Sequence, residues 1–492
     1  MPDFTNYLSL KSNKNVQFDA YYDLRTLNLV TPAKNQGSCG CCWTFATVGS
    51  IESYWLKNGF GTYDLSEQNI RTCNGFMVDV DGSCTGGNPK KSAAYMLRKD
   101  GPVLEIDDAY NVDQNEICNS SYTPVAYIGD FRIFPTDQAT VKQAVIDYGA
   151  LYTNMYYDAA YYNSSANTYY YNGTNSTDHA VLIVGWDDNK VTDGGTGAWI
   201  IKNSWGTTWG ENGYFFISYN DTKVLTTNAC FPSRYNYNAY ENVYSYDELG
   251  WISSIGYTSE TAYGLIKFVA SGNEQITKIG SYINTAGTTV EFEIYDTKNG
   301  NTLSGLLGTL TNQVCDFPGY YTFDFPQPIL INAGNDFYIK AKYITPGYNY
   351  PLPIERFSTD YADPTIEIGV CWASSTGASW TAYGSDVVGK ERDLCIKTYT
   401  IPSSVKADEL KSDDEIKFRY SARKNTVEIN VISTNSINEI MLTDLTGKIV
   451  YKKSYNQTNN EINESVTSLS KGIYLVKITT EKSITVEKIF VE

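Results

Sequence analysis

The sequence predicts a two-lobed α+β domain, a helical half followed by a β half, with two all-β sandwich domains behind it. Three observations predict it. At 492 residues the chain is too long for one hydrophobic core. Helix signals are confined to residues between about 42 and 149, and strand signals take over afterwards. A polar, charged stretch at 401–415 then divides the strand-rich remainder in two.

Residues 1–16 read as the remnant of a leader. They hold no basic segment followed by an apolar core, so an export signal is absent from them or was trimmed. The first domain is expected over 17–235. Phe45, Val48, Ile51, Trp55 and Leu56 recur at helical spacing after Cys42, and Gly59 supplies a stop. Ser66 before Glu67 and Asn88 before Pro89 are N-caps of two further helices, the second with proline at its first helical position. A fourth helix is expected near Thr136, running through Val141 and Val145. Beyond Gly149 the stretches from Ala180, Ala198 and Tyr214 are short β-rich runs bounded by glycine and turn residues. The tyrosine-rich stretch 156–171 reads as a twisted, solvent-facing hairpin. Residues 240–400 alternate strand-like stretches with Gly, Asn and Pro turns, the pattern of an antiparallel sandwich. A small third sandwich is expected over 416–492.

Composition narrows the function classes. Net charge is −17 and no basic block gathers phosphates, which excludes nucleic acid and an anionic bilayer as partners. No run of eighteen apolar residues exists to cross a membrane. Tyrosine, with 42 copies, favours strands. Ten cysteines are compatible with several disulfides and an oxidising compartment; a monomer is expected.

One histidine, His179, is the sole imidazole in the chain, which rules out any two-histidine mechanism or His-rich metal site. A cysteine nucleophile needs a stabilised thiolate, which an imidazolium and a helix N-terminus supply. Cys42 stands where the first helix begins, and His179 lies 137 residues downstream, inside the separation of roughly 130–150 that one class of cysteine nucleophile and its partners shows. Asn203 follows 24 residues later; its amide oxygen can accept from one ring nitrogen, and Trp205 can shield that bond from water. A redox or metal reading of Cys39-Gly-Cys-Cys42 remains, although it leaves Gln36 and Trp43 unexplained, and a lone buried histidine is by default a structural residue.

Gln36-Gly-Ser-Cys-Gly-Cys-Cys-Trp43, Asp178-His-Ala180 and Asn203-Ser-Trp-Gly-Thr-Thr-Trp-Gly-Glu-Asn-Gly-Tyr214 resemble the three signature blocks of the papain family of cysteine peptidases, in the right order. The resemblance covers about 220 residues and implies a papain-like fold, with Cys42 as nucleophile, His179 as base then acid, Asn203 as orienter, and the Gln36 side chain with the Cys42 amide as oxyanion donors. It implies that Gly86 and Gly87 bind substrate backbone in extended form, that Trp205 contributes to the site, and that Cys39 pairs with Cys84 and Cys73 with Cys118. The sequence departs from the family at Cys41, where many relatives have serine, and at Cys230, whose usual partner is missing. The state of Cys315, Cys371 and Cys395 is open.

Residues 240–400 resemble the lectin-like sandwich that follows the peptidase domain in some clostridial surface proteases, which implies a cell-surface glycan as ligand. The tail, with Ile440-Met-Leu-Thr-Asp-Leu-Thr-Gly-Lys-Ile-Val450 and Leu469-Ser-Lys-Gly-Ile-Tyr-Leu-Val, is similar to the C-terminal sorting domain of type IX secretion cargo, which implies a secreted or bacterial cell-surface location. The expected activity is endopeptidase hydrolysis of protein or peptide substrates through a thioester, requiring no cofactor or metal. Acyl transfer to an amine is a rival from the same chemistry, and an adhesin on a spent peptidase scaffold is a rival from another class.

Overall fold

The structure is a computed structural model and describes residues 17–77, 82–403, 417–423, 426–433, 435–444, 448–455, 460–467, 469–480 and 484–491. The expected leader at 1–16 and nearly all of the expected linker at 401–415 lie outside the described residues. The described chain falls into two units, divided between Pro402 and Ser403.

The helical half is built on α1, Cys42–Lys57, which buries almost its whole circumference, with Val48, Ile51 and Trp55 at the centre. It lies against the strand His179–Thr192 so closely that a Cβ on Gly49 would sit 2.3 Å from Leu182 Cδ1. α2, Glu67–Cys73, is capped by Ser66, whose hydroxyl accepts from Asn69 N. α3, Pro89–Leu97, is capped by Asn88, whose side chain accepts from Lys90 N and Lys91 N. The fourth helix, α4, spans Gln138–Tyr148 and is capped by Asp137 rather than starting at Thr136. The carboxylate one residue on accepts from Thr140 N and sets the boundary.

In the β half, Leu151–Met155, His179–Thr192, Gly195–Lys202 and Tyr214–Ser218 are sequential antiparallel neighbours. The tyrosine-rich stretch does form a small hairpin, Tyr162–Asn163 against Thr168–Tyr169. Only one side of it faces solvent: Tyr161 is 38% exposed and Tyr162 half-buried, stacked on Trp209 at 4.9 Å, whereas Tyr169 and Tyr171 are 1% and 3% exposed. Aromatic area this large is more stable against tryptophan than in water, and the polar residues between the tyrosine clusters concealed it.

The sandwich of the middle domain has one six-stranded sheet, running through Thr288–Asn299, Asp336–Ile344 and Thr261–Val269, facing a second that contains Ile396–Pro402, Glu274–Ile283 and Gly319–Ile331. Alternate residues Val290, Phe292 and Ile294 point into the core against Ile276, Ile279 and Ile396. This second sheet does not end at the domain boundary. Gly319 and Tyr320 pair with Arg132 and Phe131, so the sheets of the first and middle domains are one. Arg132 pins the seam: its guanidinium reaches Asp130 at 2.9 Å and lies 3.3 Å above the ring of Tyr321. The sequence domains 17–235 and 240–400 are therefore one unit.

The second unit forms a three-stranded sheet, Lys417–Arg423, Thr426–Ile432 and Glu461–Thr467, and a four-stranded sheet of Ile449–Ser454, Ile437–Asp444, Gly472–Thr480 and Ile484–Val491. Val427, Ile429, Ile440, Leu442, Val476 and Ile478 form its core. Among the described residues no helix is long and apolar enough to cross a membrane.

Candidate active site

Two chain directions bring the site together. His179 opens the strand His179–Thr192, and Asn203 directly follows its antiparallel neighbour Gly195–Lys202, so both side chains project at one end of the sheet. His179 Nε2 lies 2.8 Å from Asn203 Oδ1, and the same oxygen accepts from Ser204 N at 2.8 Å. The second contact fixes the amide orientation, because a backbone N–H demands an oxygen there. An amide oxygen can only accept, so Nε2 carries the hydrogen and Nδ1 keeps its lone pair. Trp205 stacks on the imidazole with ring centres 4.7 Å apart and planes 19° from parallel. Trp209 and Tyr157 hold Trp205 edge-on, at 5.0 and 4.5 Å.

Cys42 is the first residue of α1, where the amides have no intrahelical acceptor and the dipole favours a negative charge. Its Sγ accepts from Ala180 N at 3.3 Å, which sets the residue adjoining His179 against the sulfur. Burial pushes the Cys42 thiol up, opposed by the amides of Ala180 and Trp43. Burial likewise pushes His179 down to about 4, opposed by Asn203. Desolvation thus penalises a charge on either group alone, whereas a proton passing from sulfur to ring creates two charges that offset each other.

Gln36 donates from Nε2 to Cys39 O at 2.9 Å and accepts at Oε1 from Ser204 Oγ at 2.6 Å. Its amide plane is fixed at both ends, and the second N–H of Nε2 remains to be given. Gly86 has φ of +97°, and a Cβ there would meet open space; a Cβ on Gly87 would sit 2.3 Å from the Trp43 ring. The Gly86–Gly87 backbone therefore runs in contact with the residue that follows Cys42. Disulfides join Cys39 to Cys84, tying the segment before α1 to this edge, and Cys73 to Cys118, tying the end of α2 to the loop at 118. Cys41, Cys230, Cys315, Cys371 and Cys395 are free, buried thiols.

Several contributors escaped sequence reading. Ser204 lies inside the block Asn203–Tyr214, so its presence was visible although its grip on Gln36 was not. Tyr110 donates to Gln36 O at 2.6 Å and lies 3.0 Å from Cys41 Sγ, and no local pattern marks it. Beneath the site a cavity is lined by Lys34, Glu52, Glu67 and Lys202. Glu52 accepts from Thr31 Oγ1 at 2.5 Å and from Leu65 N at 2.9 Å, while Lys34 reaches Glu67 at 2.8 Å. Burial alone would lower Lys34; Glu67 and Glu52 reverse that and raise it.

Comparison with known proteins accords with this order of parts. Residues 18–233 match the model of the papain family cysteine proteases, 243–400 that of the lectin-like domain, and 423–492 that of the secretion system C-terminal sorting domain. Cysteine proteinase 1 of Dictyostelium discoideum is 30% identical over 210 residues, covering 40% of this chain and 60% of the relative. Digestive cysteine proteinase 1 of Homarus americanus is 33% identical over 229 residues, covering 43% and 66%. The chain thus spans less than two thirds of these relatives' length. Among solved structures, a variant of the clostridial cysteine protease Cwp84 after propeptide cleavage superposes with a TM-score of 0.68 at 25% identity, over 78% of this chain and 100% of that one. The cysteine protease and lectin-like domains of Cwp84, a surface layer associated protein of Clostridium difficile, share the fold at a TM-score of 0.68 and 23% identity, over 79% and 90%.

Proposed function

From the premise that residues 18–233 are a papain-family cysteine protease domain, followed by a lectin-like domain and a secretion sorting domain, we propose that the chain is an exported cysteine endopeptidase. Cys42 is its nucleophile, His179 its base and then acid, Asn203 the orienter of the ring, and Gln36 with the Cys42 amide the oxyanion donors. The observation that carries the reading is the 3.3 Å contact of Ala180 N with Cys42 Sγ, together with the 2.8 Å bond that leaves Nδ1 of His179 as the unprotonated nitrogen.

The reaction follows from those atoms. His179 Nδ1 takes the thiol proton as Sγ adds to the substrate carbonyl carbon, and the oxyanion accepts from Gln36 Nε2 and Cys42 N. Nδ1 returns the proton to the amine as the C–N bond breaks, leaving a thioester on Cys42. Water, deprotonated by the same nitrogen, cleaves the thioester and restores the thiol. Trp205 excludes competing water from the His179–Asn203 bond.

Peptides or proteins are the substrates of the cleft, and a cell-surface glycan is the ligand of the lectin-like domain. Cys42→Ser and His179→Ala are the tests. Each is expected to lower kcat on an unstructured peptide by about 10³-fold or more with folding retained. Near-wild-type turnover by either variant removes its residue from the mechanism.

A further inference from the structure

We propose that Tyr361, carried by the lectin-like domain, is a positioning residue for the substrate-binding edge of the cleft, so that the middle domain sets how an extended peptide is held. The proposal rests on the peptidase reading above and goes beyond it, because it assigns part of substrate recognition to a residue outside the protease domain.

The edge Gly86–Gly87 leads directly into Asn88, and the Asn88 side chain is committed on both sides. Its Oδ1 accepts from Lys90 N at 3.0 Å and Lys91 N at 3.2 Å, capping α3. Those two bonds fix the amide plane and turn Nδ2 toward the middle domain, where it donates to the Tyr361 hydroxyl at 3.0 Å. Asn88 is 8% exposed, so losing that acceptor would leave a buried donor unmade. The Tyr361 main chain holds the segment a second time, accepting from Met77 N at 3.2 Å. Its ring packs against Phe76 with centres 5.1 Å apart, in a small apolar cluster with Ala94, Leu249, Ile252 and Ala362. One residue thus fastens the protease chain before and after Cys84, on either side of the glycine edge.

The loop that presents Tyr361 is preformed. Ser358 and Ala362 exchange backbone hydrogen bonds at 2.8 and 2.9 Å, and Tyr361 N donates to Ser358 O at 3.1 Å. Asp360 adopts φ of +57°, a left-handed turn residue that aims the next side chain at Asn88. Gly86 presents an edge that has no Cβ of its own to steady it, and its φ of +97° lies where chains are otherwise soft. A peptide pairing with this edge depends on the backbone being held in place beforehand, since any ordering left to the bound state is subtracted from binding. Tyr361 does that holding from outside the domain.

The test is Tyr361→Phe in the full chain, with Tyr361→Leu as a second variant that also removes the ring. Steady-state kinetics are compared on a peptide extending four residues to the acyl side of the scissile bond and on the ester of a single blocked amino acid. One lost hydrogen bond at the edge is expected to raise KM for the extended peptide about 3- to 10-fold with kcat within twofold, and to lower the ratio of kcat/KM between extended and short substrates by the same factor. A Tyr361→Phe chain whose melting temperature falls while that ratio keeps its wild-type value overturns the proposal, since the residue is then a domain clamp only. A wild-type chain that cleaves neither substrate sinks the peptidase reading, and this proposal with it; an active wild type with an unmoved ratio sinks the proposal alone.

Discussion

His179 sits between the plane of Trp205 and the amide oxygen of Asn203, and both contacts bear on its proton. Burial depresses its folded pKa to about 4 from the ordinary 6.5. A base depressed in the folded state is protonated first in the unfolded chain. Its stability contribution is therefore complete above pH 6.5 and is lost as pH falls toward 4, by about 1.4 kcal/mol per unit at most. Because the chain has a single histidine, its imidazole resonances are free of overlap, and an NMR titration should give a midpoint near 4. A midpoint near 6.5 would mean a solvated ring and a site unlike this one. Gln36 offers a second residue-scale prediction. Removing the 2.6 Å donor by Ser204→Ala frees the Gln36 carboxamide to rotate, and kcat on a peptide should fall about 3- to 10-fold while KM holds. The candidate set of Cys42, His179, Asn203 and Gln36 was legible because the signature blocks carry it. Tyr110 and Tyr361 were not, since each acts through a backbone or amide group far away in sequence, 74 residues from Gln36 and 273 from Asn88.

The elements were readable to the degree that their ends are chemically marked. Ser66 and Asn88 are side-chain caps whose acceptor oxygens start α2 and α3 where the sequence expects. Thr136 and Asp137 are both capable caps, and only the fold shows that the carboxylate is used. The tyrosine hairpin misled because period and polarity describe a strand without saying what covers it. The contact between α1 and the glycine edge carries a stability prediction. Trp43 is 1% exposed and rigid, and a Cβ at Gly87 would lie 2.3 Å from its ring. Gly87→Ala must push backbone rather than a flexible side-chain end, so it should cost about 1–3 kcal/mol in denaturant unfolding. An unchanged midpoint would show that the edge can slide away from the helix.

At the scale of the molecule, the shared sheet at Phe131, Arg132, Gly319 and Tyr320 joins residues 17–235 and 240–400 in one compact unit. No sequence signal announces this, because the pairing joins residues 188 positions apart, as between Arg132 and Tyr320. Limited proteolysis should accordingly leave a resistant fragment ending near residue 402, and a stable product ending near 235 would contradict the joint unit. Arg132→Met would remove the cation from half-buried Asp130 at the seam and destabilise both domains together, by about 1–3 kcal/mol. The six free cysteines are all buried, and burial pushes the thiol of Cys41, the residue before Cys42, up to about 12. The most direct test is to treat the intact chain with one equivalent of an epoxysuccinyl thiol reagent and map the adduct by mass spectrometry. A single adduct on Cys42, lost in His179→Ala, is the predicted result; an adduct on Cys41 or Cys230 with Cys42 unmodified would contradict the account.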